Sequence, residues 1–141
     1  MKIIGAFDKS SVKELEPRPY SILIRLTSYD SGFEKLNGKW YKTLELKFDD
    51  VDRRQTEIDG AANVMKDKHA EQILDFVINN IECDIFVHCD AGLSRSPGVV
   101  VALEEIFNAR NVNDKYPHYN RYVKNKIKDV WFKRLWFGED V

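Results

Sequence analysis

Two periods of apolar and polar positions run along this chain, and the switches between them outline its elements. Lys2 to Phe7 is short and β-like, and Ser11-Val12-Lys13-Glu14 has the capping-box spacing that opens a brief helical turn. Glu16-Pro17-Arg18-Pro19 breaks whatever precedes it. Ser21 to Thr27 is dense in β-branched and apolar residues, which predicts an interior strand. A loop carrying Tyr29, Asp30, Gly32, Asn37 and Gly38 follows. From Trp40 to Phe48 a second strand is predicted, with Leu44, Leu46 and Phe48 alternating against Thr43, Glu45 and Lys47. Asp67 then reads as the N-cap of a helix with Ala70, Ile73, Leu74, Val77, Ile78 and Ile81 on one face.

That helix leads into Ile85-Phe86-Val87, a continuous apolar run of the kind buried on both faces of a sheet. Pro97 to Phe107 predicts a helix with proline in its first turn, where a missing N–H costs nothing. After the polar connection from Asn111 to Pro117, a last helix from about Tyr119 to Trp136 turns Val123, Ile127, Val130 and Trp131 inward. Its other face is basic, with Arg121, Lys124, Lys126, Lys128, Lys133 and Arg134. An ordinary solvated surface is the better reading of that face, and a docking surface for an acidic partner the sharper one. Strand, helix, strand, helix in this order predicts an α/β fold with a central, mostly parallel sheet of about four to five strands flanked by helices.

Composition adds limits. At 141 residues the chain fits one domain, taken as 1–141, large enough to bury a core without staples. A formal net charge of -1 gives no global push toward nucleic acid or an anionic membrane. With no apolar stretch long enough to span a bilayer and only two cysteines, the reading is a cytoplasmic protein in a reducing compartment. Cys83 is read as a core thiol; the sharper alternative is a partner that traps oxidised Cys89 as a disulfide.

Chemistry concentrates in Val87-His88-Cys89-Asp90-Ala91-Gly92-Leu93-Ser94-Arg95-Ser96-Pro97, which runs from strand through tight loop to helix N-terminus. Backbone N–H groups converge there and the helix dipole favours an anion. Helix N-termini and guanidinium groups favour a thiolate over a thiol, so Cys89 is read as a nucleophile. Gly92 lets the loop turn its N–H groups inward, and Arg95 offers a planar fork for two phosphate oxygens. Ser96 is placed to hydrogen-bond the Cys89 sulfur, and His88 to hold the loop from behind.

His88-Cys89-x-x-Gly92-x-x-Arg95-Ser96 resembles the signature of the cysteine-dependent protein tyrosine and dual-specificity phosphatases. The resemblance is strong at the loop and loose elsewhere. It implies a minimal phosphatase without cofactor or metal that hydrolyses phosphotyrosine, with phosphoserine or phosphothreonine as a further option, on a phosphoprotein or phosphopeptide. Cys89 would form a phosphocysteine, and Asp90, Ala91, Gly92, Leu93, Ser94 and Arg95 would bind the phosphoryl oxygens. Ser96 would steady the departing thiolate.

The leaving oxygen needs a proton donor, typically worth about 10²–10⁴ in rate. Parallel strands place their C-terminal ends together, so the turn after Phe48 is a natural neighbour of the Cys89 loop, and Asp49, Asp50 and Asp52 all sit there. Phe48-Asp49-Asp50 resembles a family version in which the second Asp is the acid, which selects Asp50, with Asp49 next and Asp59 third. Arg53 and Arg54 follow as exposed residues or as sources of local positive potential. His69 and His118 have no metal-ligand spacing and are read as structural. Rival activities are hydrolysis of RNA 5′-phosphates or phosphoinositides, sulfur transfer, and silent phosphate binding; the acidic Asp90 argues against a polyphosphorylated ligand. Since the reaction needs Cys89 deprotonated and Asp50 protonated, the rate is expected to be bell-shaped in pH.

Overall fold

The structure, a computed structural model, describes residues 1–51 and 63–138. In chain order its elements are β1 (Lys2–Asp8), α1 (Lys9–Glu14), β2 (Ser21–Thr27), β3 (Lys42–Lys47), α2 (Asp67–Ile78), β4 (Asp84–Cys89), α3 (Arg95–Phe107) and α4 (Arg121–Phe137). The four strands form one sheet in the order β1-β4-β2-β3, every neighbouring pair parallel. The fold is therefore α/β with a parallel central sheet flanked by helices, as the alternation of elements predicts.

Period-two alternation gives the sheet two different faces. Ile22, Ile24 and Leu26 of β2 and Ile85, Val87 and Cys89 of β4 join the main core with Ile73, Leu74 and Val77 of α2, Val99 and Leu103 of α3, and Val123 and Ile127 of α4. Each fully buried Leu or Ile there contributes roughly 1.5–3 kcal/mol relative to exposure. The alternate residues face the other way: Phe86 meets Phe7 and, edge-on, Trp40. Arg25 of β2 and His88 of β4 are register partners, which brings them together. All seven residues of β2 are buried, as expected of an interior strand.

Boundaries differ from the sequence expectations where a local interaction competes. Helix α1 starts at Lys9 because Asp8, not Ser11, is its cap, the carboxylate accepting from the Ser11 N–H at 3.2 Å. In α2 the cap is Lys66, whose N–H donates to His69 Nδ1 at 2.9 Å. Asp67 lies in the first turn instead and pairs with Lys126 at 3.3 Å. Ile78 closes that helix and Ile81 lies beyond it; at 39% and 43% exposure neither belongs to the buried face. Strand β3 begins at Lys42, since Trp40 turns onto Phe86. Asn120 caps α4, its Oδ1 accepting from the Val123 N–H.

The basic face of α4 is largely neutralised within the chain. Lys124 and Lys128 both reach Glu105, Lys126 and Lys133 reach Asp67, and Arg134 pairs with Glu71 and Asp75. These pairs fasten α4 to α2 and α3, so much of the stripe is tied within the chain rather than simply solvated. Among the described residues no helix is long and apolar enough to cross a membrane.

Candidate active site

Parallel pairing carries the C-terminal ends of β1, β4 and β2 to one edge of the sheet, with Asp8 opposite Cys89 and Thr27 ending the neighbouring strand. The loop from Asp90 to Ser94 leaves that edge and enters α3 at Arg95. Cys89 is 2% exposed. Its Sγ accepts from the Gly92 N–H at 3.2 Å and lies 3.1 Å from Ser96 Oγ. The loop thus curls round the sulfur, and the Ser96 hydroxyl stands against it as the sequence suggests.

Gly92 makes that curl possible. Its φ is +73°, and a Cβ there would lie 2.7 Å from the Asp8 nitrogen and 2.8 Å from the Phe7 carbonyl carbon. Both the left-handed conformation and the close approach of β1 exclude a side chain. The Lys9 N–H donates to the Asp90 carbonyl at 3.2 Å beside this contact, stitching the loop to the start of α1.

Arg95 is 5% exposed and held from three sides. Nη1 donates to the Phe48 carbonyl at 2.9 Å and to Ser28 Oγ at 3.2 Å, and Nη2 donates to Asp90 Oδ2 at 3.0 Å. A guanidinium has five N–H donors. Those contacts use three, and the buried Nε has no hydrogen-bond partner. Among the described residues, the Nε hydrogen and one Nη2 hydrogen remain, the number needed for a bidentate grip on an anion.

Asp90 is a structural partner of that arginine. Its Oδ1 accepts from Thr27 Oγ1 at 2.8 Å and lies 3.2 Å from Lys9 Nζ. Burial acts to raise its pKa, but the bonds from Thr27, Lys9 and Arg95 outweigh burial and hold the carboxyl below its ordinary value. The loop's negative charge is therefore tied down by cations on both sides.

Behind the loop, His88 is fully buried. Its Nε2 accepts from Arg25 Nε at 3.1 Å, so the proton sits on Nδ1, which faces the Cys89 carbonyl at 3.2 Å. Burial, reinforced by Arg25 and Lys9 against the pull of the Cys89 carbonyl, lowers its pKa to about 4. Arg25 in turn donates to Glu45 and to the Glu34 carbonyl.

Among the candidate acids the structure separates two. Asp50 Oδ1 accepts from Ser94 Oγ at 2.7 Å and from Asn120 Nδ2 at 3.0 Å, placing this carboxyl on the loop's rim. Asp49 turns the other way, accepting from the Tyr29 N–H at 3.0 Å. Asp52, Arg53, Arg54 and Asp59 lie outside the described residues. Ala91 and Leu93 are exposed, Leu93 at 65%.

Asn120 is the residue sequence reasoning missed. It is fully buried, caps α4, donates to Asp50 and to the Val51 carbonyl, and its N–H bonds the Ser94 carbonyl. The available signal is an Asn inside the start of the helical pattern, which by periodicity reaches back to Tyr119, whereas the helix begins at Arg121 with Asn120 as its cap. Ser28, Lys9 and Thr27, which hold Arg95 and Asp90, carry no motif of their own. Cys83 precedes β4 and Cys89 ends it, six residue steps apart along extended chain, roughly 20 Å at about 3.3 Å per step. That geometry leaves Cys83 as a core thiol. Among the described residues no cluster of His, Cys, Asp and Glu could hold a metal ion. Compared with known proteins, the chain matches no family model, no curated protein and no solved structure.

Proposed function

We propose that this chain is a cysteine-dependent phosphatase that hydrolyses phosphate monoesters on proteins, with phosphotyrosine as the favoured substrate. The observation that carries this reading is the buried arginine beside the thiol. Arg95 is fixed by Phe48, Ser28 and Asp90, yet keeps two donors free, one of them the unpartnered Nε, next to a loop that already turns an N–H on Cys89 Sγ. A buried donor without a partner is costly unless a ligand satisfies it.

In the reaction, the Cys89 thiolate attacks phosphorus in line. Loop N–H groups and Arg95 take up the charge on the equatorial oxygens. As the P–O ester bond breaks, Asp50 delivers a proton to the leaving oxygen. Among the described residues, the donors to Asp50 both meet Oδ1, and Oδ2 would carry that proton. In the second half Asp50 accepts a proton from water, whose oxygen attacks the phosphocysteine. The P–S bond breaks, inorganic phosphate leaves, and the Ser96 hydroxyl at 3.1 Å stabilises the returning thiolate. Tyr29, 62% exposed and next to Ser28, and Leu93 on the loop supply apolar surface suited to an aryl ester.

The test is turnover of a small aryl phosphate by the wild-type chain and by Cys89→Ser. Burst release of the aryl alcohol with a trapped phosphocysteine supports the reading. Equal turnover by the Ser variant, or none by the wild type, would overturn it.

A further inference from the structure

Helix α4 carries apolar side chains on two faces, and the core uses only one of them. Its buried residues are Val123, Ile127 and Val130. At about 3.6 residues per turn, Phe132, Leu135 and Trp136 fall on the opposite side, at the i, i+3, i+4 spacing of a single stripe, and Phe137 closes the last turn beside them. In that order the four are 47%, 62%, 80% and 79% exposed. Single large apolar residues scattered over a surface are ordinary, but four within six consecutive positions at one helix end form a patch. An aromatic side chain covers about 150–250 Å² when fully buried, so at these exposures the four leave roughly 500 Å² of apolar surface, toward the upper end of what a monomer shows.

We propose that this end of α4 is the contact surface for a second copy of the chain, two α4 helices crossing about a two-fold axis at Phe132, Leu135 and Trp136. The area favours that occupant. Two such patches together remove about 1,000 Å², the size a specific interface must clear, before any flanking polar surface is counted. In an isologous contact the same patch serves both sides, so one apolar stripe supplies the whole centre of the interface. Its spacing is also the one that lets the ridges of one helix sit in the grooves of another. An anionic lipid surface fits less well, because the cations beside the patch are already held within the chain: Lys128 by Glu105, Lys133 by Asp67, and Arg134 by Glu71 and Asp75. Trp136 lies about 24 Å along the helix from its cap Asn120, at about 1.5 Å per residue, so the contact is remote from Asp50 and the Cys89 loop.

Sedimentation velocity of the full chain between about 1 and 300 μM tests this, since an interface near the lower size limit is expected to associate in the micromolar range. The wild type should pass from monomer to dimer across that range. Leu135→Ala/Trp136→Ala should raise the dissociation constant by roughly 30-fold or more, because a central tryptophan is the usual anchor of such contacts. Leu135→Glu/Trp136→Glu should stay monomeric throughout, since the two-fold axis sets each new carboxylate against its own copy. Both variants should melt with the wild type, because the replaced side chains lie largely outside the core. A wild type that remains monomeric overturns the inference, and if it then floats with vesicles containing phosphatidylserine, the patch belongs to a lipid surface. A dimer that both variants retain also overturns it and places the interface on another face. Neither result bears on the phosphatase reading, which the aryl phosphate assay decides alone.

Discussion

Arg25 on β2 donates its Nε–H to His88 Nε2 on β4 at 3.1 Å, and this one bond decides which imidazole nitrogen bears the proton. The other nitrogen faces the carbonyl of Cys89, so a side chain on the neighbouring strand, in register with His88, orients the peptide that carries the sulfur. Folded, His88 has a pKa of about 4 against an ordinary 6.5, a depressed value. Between those two pH values the unfolded chain takes up a proton that the folded chain refuses. Stability is therefore full above pH 6.5 and falls as the pH drops toward 4, by roughly 3 kcal/mol for this group alone. Nitrogen-15 NMR should show a neutral Nδ1–H imidazole at pH 7, and urea titrations across that window should show the loss. Asp90, also depressed, adds a further loss at lower pH.

The roles of Asp50 and Asn120 can be told apart by leaving group. Asp50→Asn is expected to lower kcat by about 10²–10⁴ for an alkyl phosphate and far less for an aryl ester with a good leaving group. Asn120→Ala should show the same leaving-group pattern in weaker form, because it frees the carboxyl rather than removing it. It should also cost about 1 kcal/mol of stability through the lost cap of α4. Asp49→Asn, with its carboxyl on the Tyr29 N–H, should leave the pattern unchanged. If the Asp49 variant shows it instead, the acid has been misassigned.

Arg95→Lys keeps the charge and loses the fork. An ammonium cannot reach Phe48, Ser28 and Asp90 while also gripping two phosphoryl oxygens, so kcat/KM should fall about 10²–10³-fold. Asp90→Asn, which removes one strut of the arginine, should weaken vanadate binding less than Arg95→Lys does. Isothermal titration with vanadate ranks the two.

Gly92→Ala places a Cβ 2.7 Å from the Asp8 nitrogen at a φ of +73°. Conformational strain alone is worth roughly 1–2 kcal/mol, and the contact adds to it. Activity should fall together with stability, since the N–H that meets the sulfur belongs to this residue. A variant with wild-type melting and turnover would show that the loop is looser than its geometry implies.

Much of this arrangement was legible in the sequence because period and spacing carry it. Ile22, Ile24 and Leu26, Ile85 and Val87, and the Ala70-Ile73-Leu74-Val77 stripe sort themselves into faces, and the loop's fixed spacing from Cys89 to Ser96 announces its own geometry. What escaped was set by pairs distant in the chain. Asn120 reaches Asp50 across seventy residues, Arg95 reaches Ser28 across sixty-seven, and Arg25 reaches His88 across sixty-three. None of these polar residues has a local pattern that names its partner. Caps were misplaced by a residue or more at Ser11 and Asp67 for a related reason: several neighbouring side chains could accept the same N–H, and tertiary contacts chose among them.

Both cysteines of this chain belong to one strand region, one before its first residue and one at its last. A rigid, hydrogen-bonded rod holds them apart, so neither can reach the other while the sheet is intact. On the proposed mechanism, an oxidised Cys89 would be reduced by a small-molecule thiol or by another protein, and peroxide should inactivate the isolated chain without creating an internal cross-link.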